Sequence, residues 1–128
     1  TQLPNTLHQL NKLIFLDINH NQLESLPETF IQLNRLVTFR ISYNNLQYLP
    51  SDIHNIIWLE ELSINNNQIK ELPDSFSQLH LFLLDISNNP DITSLPELST
   101  IQLRIDYKQY RKFENRCRHI RNLQIVIH

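Results

Sequence analysis

The dipeptide Leu-Pro occurs at Leu3-Pro4, Leu26-Pro27, Leu49-Pro50, Leu72-Pro73 and Leu95-Pro96, each 23 residues after the last. Four equal intervals mark an internal repeat, and a repeat constrains the fold before any single residue does. The apolar residues in between keep the same phase. Leu7, Phe30, Ile53 and Phe76 follow the leucine by four positions, and Leu10, Leu33, Ile56 and Leu79 follow it by seven. A second pattern then begins. Leu13, Leu16, Ile18 and Asn21 recur as Leu36, Phe39, Ile41 and Asn44, as Leu59, Leu62, Ile64 and Asn67, and as Leu81, Leu84, Ile86 and Asn89. The fourth copy has one residue fewer before this stretch and one more after it, where Pro90-Asp91-Ile92 stands.

Within each unit the apolar spacing changes from three and four to two. The first half therefore reads as a short helix opened by proline, as in Pro27-Glu28-Thr29-Phe30. The second half reads as a short strand, residues 38–42 for example. One unit alone has an apolar face and nothing to cover it. Burying its roughly seven inward side chains is worth ~1.5–3 kcal/mol each, whereas ordering the unit costs on the order of 1.5 kcal/mol for every residue. A lone unit loses that contest, so the units must stack.

Read from Leu26 to Leu46, the unit L-P-x-x-F-x-x-L-x-x-L-x-x-F-x-I-x-x-N-x-L resembles the 23-residue class of leucine-rich repeat. The resemblance covers about residues 1–106. Similar repeats occur in Ras-suppressor and scribble-type proteins and in effectors that bacterial pathogens inject into host cells. It implies an α/β fold, a right-handed solenoid with a parallel concave β-sheet, short convex helices and a protein partner on the concave side. Asn21, Asn44, Asn67 and Asn89 fall where each strand turns away and backbone groups become buried. An amide side chain both donates to and accepts from such groups, so these asparagines are expected to be structural. With no glycine in the chain, asparagine is also the expected residue at left-handed backbone positions.

After Leu95-Pro96 the pattern shortens, and residues 107–128 are expected to form a C-terminal helix-and-strand cap. Leu103 and Ile105 follow Leu95 too closely for a helix to fit between, which favours a strand over residues 102–106. Leu98, Ile101 and Leu103 give a rival register. Tyr110, Phe113, Cys117 and Ile120 then form an amphipathic stripe. Asn122 is placed to end that helix, and residues 123–128 alternate like a strand. Ile125 and Ile127 stand 22 residues beyond Leu103 and Ile105, so the segment reads as a degenerate last repeat that closes an open end.

Charge divides at the same boundary. Residues 1–106 hold 5 basic and 12 acidic side chains, net −7, whereas residues 107–128 hold 6 basic and 1 acidic, net +5. Lys108, Arg111, Lys112, Arg116, Arg118 and Arg121 offer a basic face to nucleic acid or an acidic membrane. The plainer expectation is a solvated cap face drawn to an acidic body.

Catalytic constellations are few. Cys117, beside Arg116, Arg118 and His119, has a candidate nucleophile's neighbours, but its place on the inward stripe predicts a buried structural thiol. The six histidines show no metal-ligand spacing. Adjacent Glu60 and Glu61 point to opposite sides of a strand and make a poor acid–base pair. Neither enzyme activity nor a cofactor nor a metal is expected. One cysteine and no glycosylation sequon favour a reducing, intracellular setting, cytoplasmic or host-cytoplasmic for an effector. No apolar run approaches the ~18 residues of a membrane span. The chain opens at Thr1 inside the pattern, as expected of a piece of a longer protein.

Alternation assigns the concave columns directly. The first is Phe15, Thr38, Glu61 and Leu83. The second is Asp17, Arg40, Ser63 and Asp85, continuing to Arg104. The third is Asn19, Ser42, Asn65 and Ser87, with His20, Tyr43, Asn66 and Asn88 beside it. Phe15 and Leu83 place apolar groups where solvent is expected, and Tyr43 and Arg40 are residue types that anchor interfaces. Phe15, Arg40, Tyr43 and Leu83 are therefore expected to carry most of the binding energy, with packing beneath an N-terminal cap as the other reading of Phe15.

Overall fold

The computed structural model describes residues 1–128. Six strands lie side by side in chain order: β1 (Phe15–Asp17), β2 (Thr38–Arg40), β3 (Glu61–Ser63), β4 (Leu83–Asp85), β5 (Gln102–Ile105) and β6 (Gln124–Ile127). Every neighbouring pair is parallel. Phe39 pairs with Leu16 and with Leu62, so the 23-residue spacing is the register itself. The fourth copy's deletion shifts that spacing to 22, and Leu62 still meets Leu84.

The strands are three residues long in the first four coils, shorter than residues 38–42. Lateral bonds nevertheless carry the ladder onward: the Ile41 amide donates to the Ser63 carbonyl, and Tyr43 to Asn65. The return halves are single 3-10 turns, Asn5–Gln9, Glu28–Gln32, Ile53–Asn55 and Asp74–Gln78. Pro4, Pro27 and Pro73 each stand immediately before their turn with φ fixed near that of a helix start. Such turns occupy more width per coil than strands ~4.8 Å apart, which places the sheet on the inner side of the arc.

One core of 27 residues runs the length of the solenoid, from Leu23 to Cys117. Its centre is the stack of Phe30, Phe39 and Phe76 with the strand isoleucines, all essentially inaccessible. Phe113 and Cys117 of the cap helix, α1 (Tyr107–Cys117), belong to this core, and Tyr110 and Ile120 pack against it. The helix ends at Cys117, before Asn122, because the next residues tighten into i→i+3 turns: His119 donates to Arg116 and Ile120 to Cys117. Asn122 then turns the chain left-handed, φ 58°, into β6.

The asparagines form the expected ladder, with one difference between its end and its middle. Asn67 accepts from the Leu46 amide at 2.9 Å and donates to the carbonyls of Ile41, one coil back, and Ile64, in its own coil. Asn44 and Asn89 repeat this pattern, and all three are buried. Asn21 lies in the first of the described coils. It is exposed and bonds only Ile18 and Asn19. None of these four is left-handed. That conformation belongs to the residue before each, His20, Tyr43, Asn66 and Asn88, with φ of 55–57°. Two of those sites hold aromatic rings instead of the expected asparagine.

Candidate functional site

The concave face is assembled from the outward side chains of consecutive rungs. Pairing places Phe15, Thr38, Glu61, Leu83 and Gln102 in one row, and Asp17, Arg40, Ser63, Asp85 and Arg104 in the next. The rows therefore follow the sequence reading, including its continuation to Arg104.

Accessibility is uneven along them. Leu83 is only 8% exposed, and Asp85, Ser87 and Ser42 are also buried. Leu83 is thus no exposed apolar anchor. Flanking strands on both sides crowd its row on the inner curve, where Glu61 and Gln102 are its neighbours. The third row is occupied with its own bonding. Asn19 Oδ1 accepts from the Ser42 amide at 2.6 Å, the Ser42 hydroxyl donates to Asn65, and the Ser87 hydroxyl donates to Asp85 at 2.7 Å.

What remains open lies at the first three rungs. Phe15, Asp17, His20 and Tyr43 are exposed, and Asn19, Thr38, Arg40, Glu61, Ser63 and Asn65 are half-buried. Arg40 is held from both sides. Its guanidinium carbon stands 5.3 Å from the Phe15 ring centroid, and Nε and one terminal nitrogen meet Glu61 Oε1 at 2.9 and 2.8 Å. The Arg40–Glu61 pair is partly solvated, so it contributes only ~0.2–1 kcal/mol. Its larger effect is to fix the direction of a long side chain. Beside it, the rings of His20 and Tyr43 stack with centroids 4.3 Å apart. Together these form a small aromatic and charged patch whose rotamers are set before any partner arrives.

Lys108, Arg111, Lys112 and Arg116 follow one side of α1 at helical spacing, and individual members have their own contacts. Lys112 donates to the Pro90 carbonyl at 3.1 Å near the start of α1, and Arg118 pairs with Glu114 near its end. Arg116 and Arg121 turn toward a separate cavity beside residues 97–101. Cys117 lies under the helix, 4% exposed, and burial raises its thiol above the usual range, the reverse of what a nucleophile requires. No group of histidine, cysteine and carboxylate side chains is arranged to hold a metal ion. No helix is long and apolar enough to cross a membrane.

Two features escape the column reading. Gln109, 1% exposed, donates to the carbonyls of Ile86 and Asn89, so a helix residue supplies the ladder's next rung. The available signal was Asp106-x-x-Gln109, a capping box whose two members bond each other's backbone amides at 2.9 and 3.1 Å. The second feature is a set of exposed apolar residues ahead of the strands: Ile14, Phe82 and Ile101 immediately before β1, β4 and β5, and Ile57 and Trp58 a few residues before β3. Ile57-Trp58 stands where other units carry Asn11-Lys12 and Asn34-Arg35.

Comparison with known proteins agrees with this geometry. A family model described as Leucine Rich Repeat matches residues 12–33 and 58–79. None of the curated proteins matches. Among solved structures, the chain is similar to an LRR protein of Leptospira interrogans, at 29% identity and a TM-score of 0.88, over 98% of this chain and 34% of that one. The chain thus spans about a third of that protein's length. Repeat period, parallel register, buried asparagine ladder and this end-to-end likeness agree: the chain is folded as a leucine-rich-repeat solenoid.

Proposed function

We propose that the chain is a recognition module that holds a partner protein on its concave sheet, centred on Phe15, Arg40 and Tyr43, and carries out no chemistry of its own. The observation that carries this reading is the pre-set cluster of Arg40 between Phe15 and Glu61, with Tyr43 stacked on His20. Aromatic residues and arginine supply most hot spots. Side chains already held in place lose less conformational freedom on binding. Leucine-rich-repeat proteins in general bind protein partners, which supports the reading at the level of the fold.

An intracellular setting, and a role as the recognition part of a bacterial effector, belong to the same proposal. They are supported by the unpaired thiol of Cys117 and by the likeness to a bacterial protein. The test is capture on immobilised chain beside the Arg40→Glu/Tyr43→Ala variant. A protein retained by the first and lost from the second supports the proposal, and equal retention by both refutes it.

A further inference from the structure

We propose that the cavity between the last repeat and the end of the cap helix binds a phosphate-class oxyanion. This cavity, about 510 Å³, is bounded by residues 97–101 on one side and by Arg116, His119 and Arg121 on the other. Its cations are not neutralised from within. Glu114 is the sole acid beyond residue 106, and Arg118 engages it. Neither Arg116 nor Arg121 has a carboxylate within 4 Å, although Glu97 sits on the wall. Concavity between low-dielectric walls focuses such uncompensated charge, and the guanidinium fork matches phosphate oxygens two at a time.

A second observation is independent of charge. Thr100 is only 5% exposed and lines the same cavity, yet its hydroxyl forms no hydrogen bond within the chain. The hydroxyl is not one of the chain's buried unpaired polar atoms, which are His54 Nδ1 and Arg104 Nε, so it opens to the cavity and is free to donate to a bound acceptor. His119 donates Nδ1–H to the Asn115 carbonyl at 2.6 Å, which leaves Nε2 as its free ring nitrogen. Two guanidinium groups and a hydroxyl lining one cavity suit a compact, multiply charged acceptor. A phosphate monoester carries about −1.5 to −2 charges at neutral pH, enough to outweigh Glu97. Exposed Ile101 on the cavity wall continues into exposed Phe82 across adjacent rungs, an apolar margin that a lipid headgroup's acyl neighbours would touch and free phosphate would not.

The test uses the intact chain and two probes: inorganic phosphate, followed by calorimetry, and phosphatidylcholine vesicles with and without phosphatidylinositol monophosphate, followed by co-sedimentation. Arg116→Gln and Arg121→Gln are expected to weaken phosphate binding by about tenfold each. Thr100→Val is expected to weaken it severalfold with its thermal midpoint unmoved, since the hydroxyl has no partner to lose. Lys108→Gln, an equal charge change at the other end of α1, is expected to leave it unchanged. Retention on the phosphoinositide vesicles alone, reversed by free phosphate, assigns a lipid headgroup. Phosphate binding without retention assigns a soluble ligand. Absence of both, or an equal loss with Lys108→Gln, overturns the proposal.

Discussion

The imidazole of His20 lies flat against the ring of Tyr43, 4.3 Å between centroids and 12° from parallel, and both residues hold left-handed backbone. The same site in the next two coils is Asn66 and Asn88. A left-handed tyrosine costs on the order of 1–2 kcal/mol, and stacking returns ~0.5–1.5 kcal/mol. Tyr43→Asn should therefore change unfolding free energy by no more than ~1 kcal/mol in a urea titration. If the pair serves recognition, the same substitution should cost at least about tenfold in partner affinity. Stability lost together with affinity would make the stack structural.

The asparagine ladder predicts a contrast between its middle and its end. Asn67→Leu strands one amide and at least two carbonyls, at ~1–3 kcal/mol each, and should lower unfolding free energy by at least ~3 kcal/mol. Asn21→Leu removes bonds only within an exposed coil, and its effect should stay within ~1 kcal/mol. Urea midpoints of the two variants check this. Equal losses would mean that inter-coil bonding is not what the ladder provides.

Gln109 joins the cap to the ladder. Gln109→Leu removes the bonds from α1 to the carbonyls of Ile86, which keeps the Asn89 amide as a donor, and of Asn89, and it breaks half of the capping box, for an expected loss on the order of 2 kcal/mol. Amide hydrogen exchange should quicken across Tyr107–Cys117 while the β2–β3 ladder keeps its protection. Uniform acceleration through the chain would show that the cap opens only with the whole solenoid.

Burial of Cys117 gives a pH prediction. A raised thiol means the folded state favours the neutral form, and the cause is desolvation. That contribution is fully present at neutral pH and is lost as pH climbs from the usual thiol range through the raised value. Alkylation of the native chain should be slower by about a hundredfold than in denaturant. Equal rates would place the thiol at the surface.

The parts of the fold set by periodicity were legible in the sequence. Spacings of 23 and 22 residues foretold four of the five strand pairs, Leu103 with Ile125 among them, because register is counted along the chain; Leu84 meets Leu103 at a spacing of 19, and that pair rested on the alternation of Leu103 and Ile105 instead. What depends on curvature and neighbours was not. Leu83 alternates outward as Phe15 does, yet the inner curve covers it and leaves Phe15 open. Left-handed backbone fell on His20 and Tyr43 because the turn sits one residue before the ladder asparagine, whatever side chain occupies it. The Asp106-x-x-Gln109 pattern marks the start of α1, but Gln109 reaches the ladder through the docking of α1 on the last coil, a tertiary event.

The concave sheet as the partner-binding face is tested most directly by a nuclear magnetic resonance footprint, in which the isotope-labelled chain is titrated with the captured partner. Amide shifts are expected to move at Phe15–Asp17, Thr38–Arg40 and Glu61–Ser63 and at His20 and Tyr43, with the turns Glu28–Gln32 and Asp74–Gln78 unmoved. Shifts confined to those turns or to α1, with the strands silent, would contradict it.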